Sequence, residues 1–195
     1  MELNLNDYQL NKPKFNNYDG TFISNFYNED REKYIVATPN FRILSYGDSI
    51  LELEFLPSSN EFYKFISQVD DIFVQSIVKS GNEWFDKDLN NHTVNNLFKS
   101  SLNIPKKIPS LPFIRVMTTD ETKVIGKKRK KGNLGDVKLN SEVQLKMSIV
   151  GVVFEMNKCC VLYVATEIKI VNDVCQSFEC LFDDENGDDL DQDSE

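Results

Sequence analysis

The sequence has few of the residues from which most enzymes build an active site. It contains one histidine, His92, which excludes a histidine-rich metal site and leaves no second imidazole for a proton relay. It also lacks a glycine-rich phosphate loop ending in Gly-Lys-Ser or Gly-Lys-Thr, a Gly-x-Ser-x-Gly elbow and a His-x-x-x-His pair. The acidic pairs Asp70-Asp71 and Glu52 with Glu54 are typical of solvated faces rather than of metal sites. We therefore expect a protein with no catalytic residues, no metal and no cofactor.

Cysteines and long apolar runs are also scarce. The four cysteines are Cys159, Cys160, Cys175 and Cys180. Their low number and the adjacent pair inside an apolar run favour reduced core thiols over disulfides, and zinc is favoured least. No apolar run approaches the roughly 20 residues that span a bilayer, and residues 1–13 lack the apolar core of a signal peptide. We therefore expect a soluble, intracellular protein.

Negative charge is concentrated at the C-terminus. The chain has 22 basic and 31 acidic residues, which give a formal net charge of −9. Eight of the acids and none of the bases fall in the last thirteen residues, so the rest of the chain has a balance of −1. A near-neutral body can carry a basic face that the overall charge conceals. The eight acids are Asp183, Asp184, Glu185, Asp188, Asp189, Asp191, Asp193 and Glu195.

The two ends of the chain differ from its centre. Residues 179–195 are predicted to form a disordered acidic tail, because too few apolar side chains are present to offset the entropy of ordering. The tail either maintains solubility or occupies a basic groove of the body until nucleic acid displaces it and frees its acids to bind partner proteins. Residues 1–19 show no clear period and are predicted to form an N-terminal arm. Residues 20–178 then make one domain.

Hydrophobic periodicity predicts strands first and helices next. Short β-branched and aromatic runs, separated by turn residues, predict a meander of strands. These runs are residues 21–25, 34–37, 41–46 and 50–55. Apolar residues at helical spacing from Phe62 to Ile77 predict a helix that is capped within residues 58–60 and ends near Gly81. Residues 93–102 predict a second, shorter helix.

The second half of the chain is predicted to return to strands. Residues 113–118 and 122–126 are expected to pair about a tight turn, and residues 127–136 to form an exposed loop. Two long apolar runs, residues 141–156 and 159–171, predict a buried hairpin. The pattern as a whole predicts a mainly β fold with helical insertions.

The sharpest local feature is a run of five consecutive cations on the predicted exposed loop. These residues are Lys127, Lys128, Arg129, Lys130 and Lys131. Their mutual repulsion favours a polyanionic ligand, because phosphates neutralise such a run with release of condensed counterions. Further cations in the same third of the chain could complete a basic face, and they are Lys106, Lys107, Arg115, Lys123, Lys138 and Lys146. Nucleic-acid contact is favoured over a nuclear-import signal or a merely solvated loop.

The aromatic residues offer a second mode of nucleic-acid contact. Exposed rings stack bases with little dependence on sequence. Most rings here are expected in the core instead, including Trp84, which follows the apolar stripe of the first helix. The candidates for base stacking lie on or beside predicted strands, and they are Tyr34, Phe41, Tyr46 and Phe113.

Several segments together resemble the single-stranded DNA-binding proteins assigned to nucleocytoplasmic large DNA viruses. The segments are Tyr34-Ile35-Val36-Ala37-Thr38-Pro39, residues 51–55, the helix with Val69-Asp70-Asp71, Ser80-Gly81-Asn82-Glu83-Trp84-Phe85, and the long hydrophobic hairpin. That family is similar in turn to the short-tailed phage single-stranded DNA-binding proteins. The resemblance implies an OB-type barrel with a helix between strands and a disordered acidic C-terminal tail. This chain departs from the phage proteins by ending in Glu195 rather than in an aromatic residue.

The resemblance implies a non-enzymatic single-stranded DNA-binding protein that acts in viral DNA replication, recombination or repair. The expected partners are single-stranded DNA, viral replication proteins that bind the acidic tail, and further copies of the chain. The expected location is the host cell nucleus or a cytoplasmic viral replication site. The alternative is a virion or scaffold protein whose basic loop contacts packaged DNA or an acidic protein partner.

Overall fold

The computed structural model describes residues 7–16, 21–105, 111–126 and 130–172. The strands in these ranges are β1 (Gln9–Leu10), β2 (Lys14–Phe15), β3 (Phe22–Tyr27), β4 (Tyr34–Gly47), β5 (Ile50–Phe55), β6 (Phe98–Lys99), β7 (Phe113–Met117), β8 (Lys123–Ile125), β9 (Lys131–Gly132), β10 (Glu142–Phe154) and β11 (Cys159–Asn172). The helices are α1 (Asn60–Phe85) and α2 (Asn91–Leu97), and single 3-10 turns lie at Pro57–Ser59 and Leu134–Asp136. None of the described helices is both long and apolar enough to cross a membrane.

Five strands form a ring in the order β10, β4, β5, β7, β11 and back to β10. All neighbours in the ring are antiparallel except β7 and β11, which run parallel and meet at the single pair of Met117 and Val164. This junction makes the structure a β-ring rather than a regular barrel. The long helix α1 separates β5 from β7 in the chain. The predicted mainly β fold, an OB-type barrel with a helix between strands, is confirmed, with the barrel closed as a ring that is not regular at the β7–β11 junction.

The other strands extend the ring at two places. β3 pairs with β10 and is itself flanked by β1 and β2, so the described part of the predicted N-terminal arm lies on the sheet. β8 pairs in parallel with β11 and antiparallel with β9, and β6 also runs parallel to β11. The long hairpin predicted from the two apolar runs is present as β10 and β11.

The core lies between α1 and the inner faces of the ring strands. Along α1, the buried residues Ile66, Val69, Phe73 and Ile77 recur at helical spacing. Aromatic contacts join this stripe to the sheet, and Phe73 packs edge-on against Phe26 with ring centroids 4.9 Å apart. Residue alternation on β4 and β5 supplies the opposite wall of the core.

The bounds of α1 differ from those predicted. The helix continues past Gly81 to Phe85 and ends at Asp86, whose left-handed backbone (φ 54°) closes the last turn. Gly81 is instead a packing position, because a Cβ there would lie 2.7 Å from Cγ of Leu89. At the other end, the Ser59 hydroxyl donates to the Asn40 carbonyl oxygen at 3.2 Å rather than capping the helix.

Three predicted strand arrangements are wrong. Residues 34–37 and 41–46 belong to one strand, β4, because Pro39 is accommodated at a register shift where the Leu145 amide donates to the Thr38 hydroxyl at 2.9 Å. β3 pairs with β10, whereas the predicted meander would pair it with β4. β7 and β8 do not pair with each other, since β7 joins β5 and β8 joins β11.

The buried side chain of Asp70 accepts hydrogen bonds that hold α1 to the segment after α2. It is 7% exposed and accepts hydrogen bonds from the Ser101 amide (2.8 Å), the Ser101 hydroxyl (2.5 Å) and the Ser100 hydroxyl (2.9 Å). The Ser101 hydroxyl also lies 3.1 Å from the hydroxyl of the buried Tyr163 on β11. These hydrogen bonds connect α1 to the segment after α2 and to the ring. Within the described ranges, no cluster of His, Cys, Asp and Glu could hold a metal ion.

Candidate nucleic-acid interface

The described part of the basic run, Lys130 and Lys131, lies on the hairpin formed by β8 and β9. The Gly126 amide donates to the Lys130 carbonyl oxygen at 2.9 Å, which closes the hairpin. Lys130 is exposed in the loop, and Lys131 begins β9. The turn that follows β9 is held by Asp136, which accepts from the Asn133 amide at 2.8 Å. Residues 127–129 lie outside the described residues.

The sheet aligns lysines from four strands on one outer face. In one row across the sheet, Lys131 on β9 pairs in register with Ile125 on β8. Ile125 pairs with Lys169 on β11, and Lys169 pairs with Gln144 on β10. In the neighbouring row, Lys123 is opposite Glu167, which is opposite Lys146. Partners in register share a face of the sheet. We call Lys123, Lys131, Lys146 and Lys169 the lysine face, and all four residues are exposed.

Acidic side chains offset only part of the positive charge of the lysine face. The Lys146 ammonium lies 3.2 Å from the Glu167 carboxylate, and the Lys146 side chain is 56% exposed. An ion pair this exposed contributes little and yields readily to a phosphate. A groove of about 830 Å³ runs along β8 and β9, lined by Lys123, Lys131 and Lys169 and, at the turn before β8, by Asp120 and Glu121. The lining of the groove thus holds more basic than acidic side chains.

The other cations of the predicted basic face lie away from the lysine face or outside the described residues. Arg115, on the outer face of β7, donates from Nε to the Glu52 carboxylate at 2.9 Å, and its guanidinium lies 5.6 Å from the centre of the Phe113 ring. Lys138 is exposed between the 3-10 turn and β10, and is not in register with the lysine face. Lys106 and Lys107, like Lys127, Lys128 and Arg129, lie outside the described residues.

Two of the four rings predicted to stack bases are in the core, and that prediction is wrong for them. Tyr34 is 2% exposed and Phe41 is 0% exposed, because both occupy inward positions of β4. Burial raises the pKa of the Tyr34 hydroxyl to about 12. Tyr46 is half-buried against the core, and Phe113 is half-buried on the outer face beside Arg115. Trp84 is also half-buried, and it packs against the core as predicted but is not enclosed by it.

The described cysteines have the character of structural thiols. Cys159 and Cys160 are both free, and Cys159 is 4% exposed. Burial raises the pKa of Cys159 to about 12, and it raises the pKa of Cys160 as well. Thiols that remain protonated at neutral pH are poor nucleophiles and metal ligands. Cys175 and Cys180 lie outside the described residues, as do all the acids of the predicted tail.

Sequence reasoning missed Lys169, although a signal for it was present. The residue lies between Ile168 and Ile170 in an apolar run that was interpreted only as a buried strand. The alternation of these three residues places Lys169 on the face opposite to the two buried isoleucines. Its proximity to Lys123 and Lys131 depends on the parallel pairing of β8 with β11, which no local pattern indicates.

No protein-family model matches this chain, and no curated protein matches its sequence significantly. Its structure is similar to that of gp2.5, a single-stranded DNA-binding protein encoded by bacteriophage T7, with a TM-score of 0.51 and 11% identity over 82% of this chain and 100% of the phage chain. The single-stranded DNA-binding protein of bacteriophage Enc34 in complex with single-stranded DNA gives a TM-score of 0.48 and 9% identity over 83% of this chain and 94% of that chain. The likeness to the T7 protein shows that this chain has an OB-like fold of the kind found in that phage protein.

Proposed function

We propose that this protein binds single-stranded DNA, without catalysis, through the lysine face and the adjoining β8–β9 hairpin. The observation that carries the proposal is the alignment of Lys123, Lys131, Lys146 and Lys169, which come from four strands. In the sequence, Lys131 is also the last of five consecutive cations. A run of like charges is stabilised when phosphates replace its counterions. The rows of lysines across the sheet extend this attraction from the loop onto a rigid surface.

The fold supports the choice of a single strand as the ligand. OB-type rings bind extended oligonucleotides along their outer face, where a groove follows the backbone and unpaired bases remain accessible. The T7 protein that shares this fold is a single-stranded DNA-binding protein. The β8–β9 hairpin projects from the ring through the parallel pair of β8 and β11. It therefore adds cationic surface to a fold already suited to an extended strand.

The biological setting of the proposal follows from the family resemblance. We propose that the protein acts in replication, recombination or repair of the DNA of a large DNA virus, either in the host cell nucleus or at a cytoplasmic replication site. The acidic residues of the tail are proposed to contact viral replication proteins when DNA displaces them from the lysine face. These residues are Asp183, Asp184, Glu185, Asp188, Asp189, Asp191 and Asp193.

A binding titration tests the proposal. Fluorescence anisotropy with a labelled oligonucleotide, as a single strand and as a duplex of the same sequence, should show tighter binding of the single strand by the full chain. If three to five of residues 127–131 neutralise phosphates, replacing all five with glutamine should flatten the slope of log affinity against log salt by about 2 to 3.5, at about 0.7 for each phosphate. Lys79→Gln combined with Lys87→Gln, two exposed lysines on or just after α1, is the control for a loss of positive charge elsewhere on the surface.

The outcomes separate the proposal from its alternative. Equal affinity for duplex and single strand, or tighter binding of an acidic polypeptide than of either, would favour a virion or scaffold protein. No binding of single-stranded DNA at low salt would overturn the proposed function outright.

A further inference from the structure

An exposed row of aliphatic side chains runs across the ring next to the lysine face. Ile35 on β4 is opposite Ser148 on β10, which is opposite Val164 on β11. Val164 is opposite Met117 on β7, which is opposite Ile50 on β5. We call Ile35, Val164, Met117 and Ile50 the aliphatic row. Its four members come from β4, β11, β7 and β5, and the buried Ser148 of β10, which is 2% exposed, lies between Ile35 and Val164.

All members of the row point away from the core. Ile35 is 52% exposed and Ile50 is 40% exposed, whereas their chain neighbours Tyr34, Val36 and Leu51 are buried. Val164 and Met117 are half-buried, because the row packs side by side along the outer face. Such an arrangement leaves apolar surface in water, most of it at Ile35 and Ile50, and exposed apolar surface is a feature of interaction sites.

The aliphatic row lies next to the lysine face on β4 and β10. Lys146 precedes Ser148 by two residues on β10, and Ala37, which is opposite Lys146, follows Ile35 by two residues on β4. Two residues along a strand span about 7 Å and return to the same face. A ligand with a line of negative charge and a line of apolar surface at this separation would cover both rows.

We propose that the aliphatic row contacts the bases of a single strand whose phosphates lie on the lysine face, an inference that rests on the proposed function. The faces of nucleobases are apolar, and in a single strand they are unpaired and accessible. Aliphatic side chains gain from covering these faces but form no hydrogen bonds with base edges, so binding tolerates any sequence. In a duplex the bases are stacked inside, and the row has nothing to cover.

The proposal is tested with Ile35→Ser and Ile50→Ser, singly and together, in the full chain. Both positions are exposed, so the folded state should be retained, and circular dichroism and the unfolding midpoint verify this for each variant. The matched control is Ile104→Ser, since Ile104 is 72% exposed and lies outside the row. The probes are a mixed-sequence single strand and a strand of the same length in which abasic sites replace the bases.

The double variant should bind the base-bearing strand about tenfold more weakly, which corresponds to roughly 1.4 kcal/mol. Its affinity for the abasic strand and the slope of log affinity against log salt should remain those of the unaltered protein, because the phosphate contacts persist. Unchanged affinity for the base-bearing strand, or an equal loss on both strands, overturns the inference while the proposed function stands. A change in sedimentation behaviour without a change in affinity also overturns it, since the row would then be a contact between copies. Failure of the unaltered protein to bind either strand is instead a failure of the proposed function.

Discussion

At the scale of single residues, position across the sheet decides what each charged side chain can do. Arg115 and Lys169 are both exposed cations on outer faces. The guanidinium of Arg115 is already paired with the Glu52 carboxylate. Its Nε donates to Glu52, and its Nη2 lies 2.8 Å from the same carboxylate. Lys169 lies between Gln144 and Ile125 in the register and faces outward among other lysines. The two cations therefore differ in how readily they accept a phosphate.

Replacing Lys169 with glutamine should remove one phosphate contact. The slope of log affinity for single-stranded DNA against log salt should flatten by about 0.7, with the affinity loss largest at low salt. Affinities measured at four salt concentrations give this slope directly. Lys79→Gln, on the exposed side of α1, should leave it unaltered. An identical slope for Lys169→Gln and the unaltered protein would remove Lys169 from the interface.

Asp70 should make stability depend on pH. Burial raises the pKa of Asp70 above its ordinary value of 3.8, although hydrogen bonds from Ser101 and Ser100 oppose the shift. The proton therefore binds more tightly to the folded state than to the unfolded state. Its contribution to the free energy of unfolding is fully present below the unfolded pKa and is lost as the pH rises through the folded pKa.

The test compares the unaltered protein with Asp70→Asn, which cannot titrate. Urea unfolding between about pH 3 and pH 7 should show the stability of the unaltered protein falling relative to that of the variant as the pH rises. Glu83→Gln, at an exposed position of α1, serves as the control, because the Asp71 carboxylate itself helps to raise the pKa of Asp70. A stability difference that is constant, or that moves in favour of the unaltered protein with rising pH, would contradict the assigned role of burial.

At the scale of elements, β10 is the strand that organises the sheet. It pairs with β11 along its length, with β4 over its first part and with β3 over its last four residues. The change of partner from β4 to β3 occurs where a register shift separates Ile149 from Gly151. Gly151 has a φ of 148°, and a Cβ there would overlap the Ser24 carbonyl oxygen. The absence of a side chain thus lets β3 approach β10.

Gly151→Ala should be strongly destabilising for this reason. Backbone strain and the clash with Ser24 together should lower the free energy of unfolding by about 3 kcal/mol or more. Gly47→Ala is the control, because a Cβ at Gly47 would meet no heavy atom within 4 Å. Chemical denaturation of the two variants measures the difference. Similar stabilities would show that β3 can move away from β10 at little cost.

At the scale of the whole molecule, charge is separated between the body and the C-terminus. The lysine face and the β8–β9 hairpin belong to residues 1–182, whose formal net charge is −1, whereas the last thirteen residues hold eight acids. Opposite charges on one chain attract at low salt and are screened as the Debye length shortens. The acidic tail is therefore expected to compete with DNA for the lysine face.

Deleting residues 183–195 should strengthen binding of single-stranded DNA. The deletion takes the formal charge from −9 to −1, and a gain of about tenfold would correspond to roughly 1.4 kcal/mol of tail occupancy. The gain should shrink towards none at high salt, where screening removes the competition. Titration of both proteins against one labelled oligonucleotide at two salt concentrations measures the effect. Equal affinities at both concentrations would leave the tail with a role in solubility or partner binding.

The sequence by itself determined the local elements and predicted the chemical class of a ligand. Apolar periodicity located α1 and the strands of the β10–β11 hairpin, because alternation and helical spacing record which side of an element is buried. The consecutive cations from Lys127 to Lys131 pointed to an anionic partner without reference to the fold, because charge repulsion is local.

The tertiary structure alone decided which strands are neighbours and therefore which residues form a surface. The pairings of β8 with β11 and of β10 with both β4 and β3 join segments distant in the chain, and they depend on how the whole core packs. These pairings bring Lys169 beside Lys123 and Lys131 and, together with those of β7 with β5 and β11, assemble the aliphatic row. Local sequence specifies the face that each strand buries, but only packing of the complete ring specifies what lies opposite each exposed side chain.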